Sequence, residues 1–336
     1  MPILDVRSPS EFAHGHAVGA LSLPLFSDQE RHEVGLCYKT KGQAEAIRLG
    51  LAFVGPKMAD LVKQADQLAQ GSDIEVYCWR GGMRSQSMEW LLTTAGHRVK
   101  RWEGGYKGYR QRVQAIWNAP RPWMVLSGLT GSGKTEILRA MMAQSAPVFD
   151  LEGIAHHKGS AFGHVGEGDQ PTQENFENNG AHLLEELPEK EVLWMEDESR
   201  SIGRIWMHSD FFALKKEAPL VVIERSRANR LDHLVALYGQ ASKEDLAAVF
   251  PKIAKRLGHQ QAQTAIEAVY QGDLRSAADI ALSYYDRTYQ ESIQKRAKQI
   301  LTTVDVRDLS AAEAAAKIIT ETIEIRSTWL THLPQH

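Results

Sequence analysis

The segment Gly128–Thr135 constrains this chain more than any other, because it matches the phosphate-loop pattern Gly-x-x-x-x-Gly-Lys-Thr. An apolar stretch over 123–127 precedes it, and a helix-compatible stretch over 136–144 follows it. In this strand, loop and helix order, backbone N–H groups and the lysine hold phosphate oxygens while the last hydroxyl reaches Mg²⁺. The pattern therefore predicts a parallel-sheet domain of the mononucleotide-binding type. The residues expected to bind a diphosphate are Gly128, Leu129, Thr130, Gly131, Ser132, Gly133, Lys134 and Thr135.

The ligand of this loop is less constrained than the loop itself. ATP, GTP or any organic diphosphate would present the two linked phosphates that the loop needs. Asp150, Glu196 and Asp197 lie in or after apolar, strand-like segments, and we treat them as candidates for binding Mg²⁺ directly or through water. A helix cap or a structural ion pair explains each of the three acidic residues equally well.

A second anion-binding loop is predicted where the apolar segment 74–78 ends and a helix over 85–94 begins. Its residues are Cys78, Trp79, Arg80, Gly81, Gly82, Met83 and Arg84. Glycines and arginines at a helix N-terminus lower the pKa of a thiol and cradle an oxyanion, so we interpret Cys78 as a nucleophile. The alternative is a buried, inert cysteine. Cys37 lacks such surroundings, and we interpret it as structural, with a resolving-thiol role as the alternative.

Composition narrows the class of protein. The 336 residues are 43% hydrophobic and 24% charged, with a formal net charge of −3, as in ordinary globular proteins. No apolar run reaches the roughly 20 residues of a membrane span. Residues 1–5 lack the pattern of a signal peptide, so we expect no membrane partner and a cytoplasmic location. The histidines show no paired ligand spacing, which predicts no structural metal site.

The proline-marked segment 118–122 is typical of a domain boundary. We predict an N-terminal domain over 1–117, a phosphate-loop domain over 123–225 and a helical C-terminal region over 226–336. Residues 150–163, which include two adjacent histidines, are predicted to form a substrate loop. The C-terminal region carries basic residues and tyrosines that suit either a nucleic-acid backbone with stacked bases or an ordinary solvated helical face: Lys252, Lys255, Arg256, Tyr284, Tyr285, Arg287, Tyr289, Lys295, Arg296 and Lys298.

Two resemblances follow from these motifs. The run Leu4–Phe12, the cysteine loop and Glu103–Tyr106 together resemble a rhodanese domain. Joined to a phosphate-loop domain that contains residues 150–163 and 196–200, the chain resembles the tRNA 2-selenouridine synthases over nearly its whole length. The resemblance implies an α/β fold, with a rhodanese-like domain, a phosphate-loop domain and a helical region that contacts tRNA.

The resemblance also implies an activity. In that family the wobble uridine (U34) of tRNAs for lysine, glutamate and glutamine is converted from 2-thiouridine to 2-selenouridine. Geranyl diphosphate first alkylates the sulfur, and selenium from selenophosphate then displaces the S-geranyl group. Cys78 would carry selenium as a selanylsulfide, and Lys134 with Mg²⁺ would hold an allylic diphosphate rather than ATP. The implied enzyme is a selenotransferase with geranyltransferase activity, and a selenophosphate-supplying enzyme is a candidate partner.

Two other functions fit the same loops. The first is an ATP-dependent tRNA thiolation enzyme, which predicts nucleotide hydrolysis stimulated by tRNA. The second is a non-catalytic, nucleotide-dependent binding module, which predicts full function without the Cys78 thiol.

Overall fold

A computed structural model of the chain describes residues 1–71 and 73–331, which divide into two compact units. Unit 1 contains Met1–Trp117 together with Thr172–His182. Unit 2 contains Asn118–Pro171 and the residues from Leu183 onward. Residues 172–182 therefore belong to unit 1, although the sequence places them inside the predicted phosphate-loop domain.

Unit 1 is built on short parallel strands. Its strands and helices follow in the order β1 (Ile3–Asp5), α1 (Pro9–His14), β2 (Ala20–Ser22), α2 (Asp28–Lys41), α3 (Gln43–Val54), α4 (Met58–Ala69), β3 (Ile74–Tyr77), α5 (Met83–Thr94), β4 (Val99–Arg101) and α6 (Gly105–Asn118). Within the described residues the strands form one parallel sheet in the order β2-β1-β3-β4. Leu4, Val76, Met88 and Leu92 are buried in its core, which fixes the end of β3 where Cys78 follows.

Unit 2 begins with the strand of the phosphate loop. Its first elements are β5 (Trp123–Ser127), α7 (Lys134–Ala143), β6 (Val148–Phe149), α8 (Leu151–Ala155), α9 (Gln173–Glu186, whose start lies in unit 1), β7 (Leu193–Glu196), β8 (Ser201–Ile202), β9 (Ile205–Trp206), α10 (Ser209–Glu217) and β10 (Leu220–Glu224). The larger parallel sheet has the order β11-β10-β5-β7-β6, where β11 is Ile300–Asp305. Because β7 and β10 flank β5, the loop after β5 lies at a topological switch point, where such sheets bind ligands.

The C-terminal region is helical, as predicted, and it also supplies the edge strand β11. Its helices are α11 (Arg227–Tyr238), α12 (Lys243–Ala247), α13 (Phe250–Leu257), α14 (His259–Gln271), α15 (Leu274–Lys295), α16 (Ala311–Glu321) and α17 (Ile323–Thr331). Helix α16 buries Ala314, Ala315 and Ile318 in the core of the sheet, whereas α12 to α15 share a separate apolar cluster.

The predicted α/β class is confirmed. The apolar segments 74–78 and 123–127 correspond to β3 and β5, and the helices predicted over 85–94 and 136–144 correspond to α5 and α7. Among the described helices, none combines the length and apolar character that a membrane crossing requires.

Candidate active sites: the cysteine loop and the phosphate loop

The Cys78 thiol lies at the start of a tight loop in unit 1, between β3 and α5. Its Sγ atom is 3.2 Å from the Ser85 hydroxyl and donates a longer, 3.8 Å contact to the Gly82 carbonyl. Burial alone would raise the pKa of this thiol, but hydrogen bonding with Ser85 and the positive charge of Arg84 outweigh it, so the pKa is lowered. The loop therefore favours a thiolate, although only 3% of the residue is exposed.

The two arginines of the loop have different environments. Both guanidinium nitrogens of Arg84 donate to the Glu11 carboxylate, at 2.6 and 3.3 Å. Arg80 is exposed, and within the described residues it has no ion-pair partner. An incoming anion could therefore bind Arg80 without displacing a carboxylate. Arg84 is held by Glu11, and from that fixed position its charge lowers the pKa of Cys78.

The start of α6 is hydrogen-bonded to the cysteine loop. The Tyr106 and Lys107 backbone N–H groups donate to the Cys78 and Trp79 carbonyls, at 2.9 and 2.8 Å. Gly105 has a positive φ of 57°, and a Cβ atom there would lie 2.3 Å from the Cys78 carbonyl oxygen. This contact gives a physical reason for the glycine in the rhodanese-like segment 103–106.

A buried ion pair underlies the same site. The Arg7 guanidinium donates to the Asp5 carboxylate and lies 3.8 Å from the centroid of the Tyr106 ring. The Tyr106 hydroxyl in turn donates to Glu174 at 2.9 Å and accepts from the Asn178 amide at 3.0 Å. Residues 172–182 thus complete the packing behind the cysteine loop, which sequence reasoning missed.

Two other residues of unit 1 lie outside the cysteine loop. His16 stacks on Phe12, and its Nδ1 is 2.9 Å from the Phe12 carbonyl oxygen. Cys37 and Cys78 are both free thiols. Cys37 lies on α2 and its role stays a prediction.

The phosphate loop of unit 2 has the backbone that its glycines require. Gly131 and Gly133 have φ angles of 77° and 78°, which L side chains rarely adopt. The Lys134 ammonium group donates to the Gly128 carbonyl at 2.9 Å and lies 5.2 Å from the centroid of the Tyr289 ring. The Ser132 hydroxyl is buried and has no hydrogen-bond partner among the described residues, so it is available to donate to a phosphate oxygen.

Glu152 lies next to the last residue of the loop, and sequence reasoning did not single it out. The Thr135 hydroxyl donates to the Glu152 carboxylate at 2.6 Å. Burial, followed by repulsion from Glu198, raises the pKa of Glu152 to about 8. A cation bound beside this carboxyl group would favour its ionised form, and carboxylate and hydroxyl oxygens are ligands that Mg²⁺ accepts. The donor set therefore fits the metal.

The three acidic residues predicted from the sequence each have a structural partner. Asp150 caps α8 by accepting from the Gly153 N–H at 2.6 Å. Glu196 is fully buried and accepts from the Leu151 N–H at 3.0 Å, and its other oxygen has no partner among the described residues. Burial, followed by the charges of Asp150 and Glu152, raises the pKa of Glu196 well above its usual value.

Asp197 is held by two cations. It accepts from the Lys215 ammonium group at 3.0 Å, from Arg296 at 2.8 Å and from the Ser127 hydroxyl at 2.8 Å. Burial alone would raise its pKa, but Lys215 and Arg296 outweigh it and lower the pKa. Its charge is thus already neutralised within unit 2. No group of three or more metal-ligating side chains occurs in the described part of the chain.

The phosphate loop opens on a cavity of about 530 Å³. Cationic side chains on its walls come from five separate segments: Lys134 and Arg139, Lys158, Arg200, Lys215 and Lys216, and Arg296. Of the predicted substrate loop, residues 158–161 line this cavity, whereas His157 is buried and His156 bonds the Asp169 carbonyl. Four carboxylates of the described residues share the lining, those of Glu136, Glu152, Asp197 and Glu198, so the seven cations outnumber the acidic side chains around the phosphate loop.

The predicted basic and aromatic set of the C-terminal region divides between two places. Arg296, Tyr284, Tyr285 and Tyr289 line the phosphate cavity. The other basic members are exposed on helices α13 and α15 and just beyond α15: Lys252, Lys255, Arg256, Arg287, Lys295 and Lys298. The exposed members alone remain candidates for contact with a nucleic-acid backbone.

Known proteins match this chain across both units. A family model described as the tRNA 2-selenouridine synthase AAA domain matches residues 121–318, and a rhodanese-like domain model matches residues 1–112. A tRNA 2-selenouridine synthase of Shewanella woodyi is 37% identical over 338 residues, covering 89% of this chain and 90% of the relative. A relative of the same name from Sulfurovum is 36% identical over 348 residues, covering 92% of this chain and 93% of the relative.

These matches span both units, so the rhodanese-like domain, the phosphate-loop domain and their order in the chain are confirmed together. The chain belongs to the tRNA 2-selenouridine synthase family, whose members are tRNA-modifying enzymes.

Proposed function

We propose that this chain converts 2-thiouridine to 2-selenouridine at the wobble position (U34) of tRNAs for lysine, glutamate and glutamine, in two steps in the cytoplasm. The first step alkylates the base sulfur with geranyl diphosphate. The second replaces the S-geranyl group with selenium from selenophosphate. The observation that supports the proposal is that one chain holds both a loop cysteine of lowered pKa and a phosphate loop that opens on a cavity lined by cations.

The phosphate loop suits the first step. As the C–O bond of geranyl diphosphate breaks, its electron pair leaves with the diphosphate, and the sulfur of the base forms the new bond to carbon. Lys134, the loop N–H groups and the cations of the cavity act on the negative charge that develops on the leaving group. Mg²⁺ held near Thr135 and Glu152 would supply further positive charge to that diphosphate.

The cysteine loop suits the second step. The Cys78 thiolate attacks selenium, and the Se–P bond breaks with its electron pair leaving on phosphorus, as phosphite. The selanylsulfide then attacks C2 of the base and geranylthiolate leaves. A second thiol, either Cys37 or a small-molecule thiol, cleaves the remaining S–Se bond to form a disulfide and release the selenated base.

The low exposure of Cys78 favours a second candidate for this step. With 3% of the residue exposed, the thiol could stay in place while selenophosphate itself attacks C2 and displaces geranylthiolate. Water would then hydrolyse the Se–P bond and release phosphate. The phosphorus product, phosphite or phosphate, distinguishes the two routes by ³¹P NMR.

Nucleoside mass spectrometry tests the proposed function as a whole. tRNA containing 2-thiouridine is incubated with geranyl diphosphate and then with selenophosphate. Lys134→Ala should abolish geranylation, whereas Cys78→Ala should leave geranylation intact and block selenation. Lys190→Ala, at an exposed lysine between α9 and β7 that does not line the cavity, is the matched control.

Three outcomes contradict the proposal. If Cys78→Ala by itself abolishes geranylation, the two steps are not assigned to separate loops as proposed. ATP hydrolysis stimulated by tRNA, without any geranylated product, would favour the thiolation enzyme. Unchanged tRNA function without the Cys78 thiol, and no modified base at all, would favour a binding module.

A further inference from the structure

A second, apolar chamber adjoins the phosphate cavity within unit 2. The two share a wall formed by residues of the phosphate loop, of the segment 158–163 and of helices α11 and α15: Thr130, Ser160, Leu234, Tyr238 and Tyr285. The chamber is smaller, at about 70 Å³ against about 530 Å³. The chamber therefore lies directly beside the cavity into which the phosphate loop opens.

Beyond the shared wall the chamber is lined by hydrocarbon. Phe162, Leu246, Phe250 and Leu282 form its sides. Ala277, Ala278 and Ala281 of α15 also face it, and their small side chains leave the space that larger residues would fill. Apolar cavities of this kind stay dry and take up hydrocarbon.

The polar groups at the shared wall are already occupied or neutral. The Tyr285 hydroxyl accepts from the Ala161 N–H at 3.2 Å, and the Thr130 carbonyl accepts from Arg230 at 3.1 Å. Burial raises the pKa of Tyr238 to about 12, so its hydroxyl stays uncharged at neutral pH. The charged side chains therefore line only the phosphate cavity, and none of the described residues that line the chamber is charged.

We propose that this chamber receives the far end of the prenyl chain and thereby selects prenyl diphosphates by length. The inference rests on the proposed function, because it assigns the tail of the diphosphate that the phosphate loop would hold. The chamber is too small for a whole chain. The isoprene unit next to the diphosphate would therefore lie against Leu234 and Tyr238 on the shared wall, with the terminal unit inside.

Variants of opposite effect test the proposal. Ala281→Leu and Ala278→Leu reduce the chamber, and Leu246→Ala enlarges it. Prenylation of 2-thiouridine tRNA is measured with dimethylallyl, geranyl and farnesyl diphosphate, which are successively longer. Either leucine variant should lower kcat/KM for geranyl relative to dimethylallyl diphosphate by about tenfold, the usual size of such discrimination in an apolar pocket. Leu246→Ala should shift the preference toward farnesyl diphosphate.

The control is Ala265→Leu, which inserts the same side chain into the same helical cluster at a fully buried position outside the chamber lining. Stabilisation by inorganic diphosphate, read from the melting temperature, reports the phosphate loop in every variant. It should be the same in all of them.

The outcomes separate the two proposals. If the wild-type chain prenylates tRNA with none of the three diphosphates, the proposed function fails. If it geranylates tRNA, but the chamber variants keep the wild-type length preference or change it no more than Ala265→Leu does, the chamber is not the tail site.

Discussion

The Thr135 hydroxyl donates a 2.6 Å hydrogen bond to the Glu152 carboxylate, which joins the end of the phosphate loop to the first turn of α8. The pKa of that carboxyl is raised to about 8, chiefly by burial. The pair therefore holds a carboxyl group that ionises only at a cost, at the point where a cation with a diphosphate would favour its ionised form.

Stability should fall as pH rises through the range in which Glu152 ionises. Its pKa is 4.5 in ordinary surroundings and about 8 in the folded chain, so between these values the folded state holds one more proton than the unfolded state. The free energy of unfolding then decreases with rising pH. Glu152→Gln should flatten this decrease between pH 5 and 8 in thermal unfolding without divalent cations.

Glu244→Gln, at an exposed position on α12, is the control and should retain the wild-type slope. Mg²⁺ with inorganic diphosphate should raise the wild-type melting temperature more at pH 8 than at pH 6, because a cation favours the ionised carboxylate. A wild-type slope in Glu152→Gln would contradict the role given to this residue.

Removing the Ser85 hydroxyl should raise the pKa of Cys78. The 3.2 Å contact between them favours the thiolate, and one such hydrogen bond contributes about 1 kcal/mol, or somewhat under one pKa unit. In a Cys37→Ser background, Ser85→Ala should shift the pH dependence of iodoacetamide alkylation upward by that amount. Geranylation should not change.

Ser87→Ala is the matched variant, since Ser87 lies on the same helix and is exposed. If Ser85→Ala leaves the thiol pKa where Ser87→Ala leaves it, the hydroxyl does not set that pKa.

Gly105→Ala should lower the free energy of unfolding by more than the backbone strain of an alanine at positive φ would. Both Gly105 and Gly19 have positive φ, at 57° and 74°, but only at Gly105 would the new Cβ meet backbone atoms within 2.4 Å. Gly19→Ala should therefore cost about 1 kcal/mol of unfolding free energy, and Gly105→Ala at least twice that. Urea unfolding of both variants measures the difference. Equal costs would show that the loop can move away from α6.

Asp197→Asn should act through stability. Asp197 is the shared partner of Lys215 and Arg296, both nearly buried, and removing one member of a buried ion pair costs about 3 to 5 kcal/mol. Asp232→Asn breaks an exposed pair with Arg275 and should cost less than about 1 kcal/mol. If Asp197→Asn unfolds like the wild type and loses only the response to Mg²⁺, Asp197 binds the metal.

Local patterns allowed much of this structure to be predicted. The phosphate loop is set by contiguous residues, and β5 and α7 begin or end within two residues of the apolar and helical segments that predicted them. The cysteine loop is local in the same sense, because β3, the glycines and α5 follow one another directly. Such elements depend on spacing that a single sequence displays.

The contacts that were missed join distant parts of the chain. Glu152 meets Thr135 across 17 residues, and Arg296 meets Asp197 across 99. The strand β11 reads ILTTVD, with two adjacent threonines and no alternation of polar and apolar residues, so its signal inside a helical region is weak. No periodicity reports that Glu174 and Asn178 bond Tyr106, because that pairing depends on the tertiary fold.

The membership of residues 172–182 in unit 1 has a consequence for how the protein is made. A ribosome releases the rhodanese-like sequence first, yet the partners of the Tyr106 hydroxyl and the Arg110 guanidinium are encoded only after the phosphate loop. Unit 1 can therefore complete its packing only after residues 172–182, and hence the phosphate loop before them, have been translated. During synthesis the phosphate loop of unit 2 thus always exists before the final packing behind the cysteine loop of unit 1.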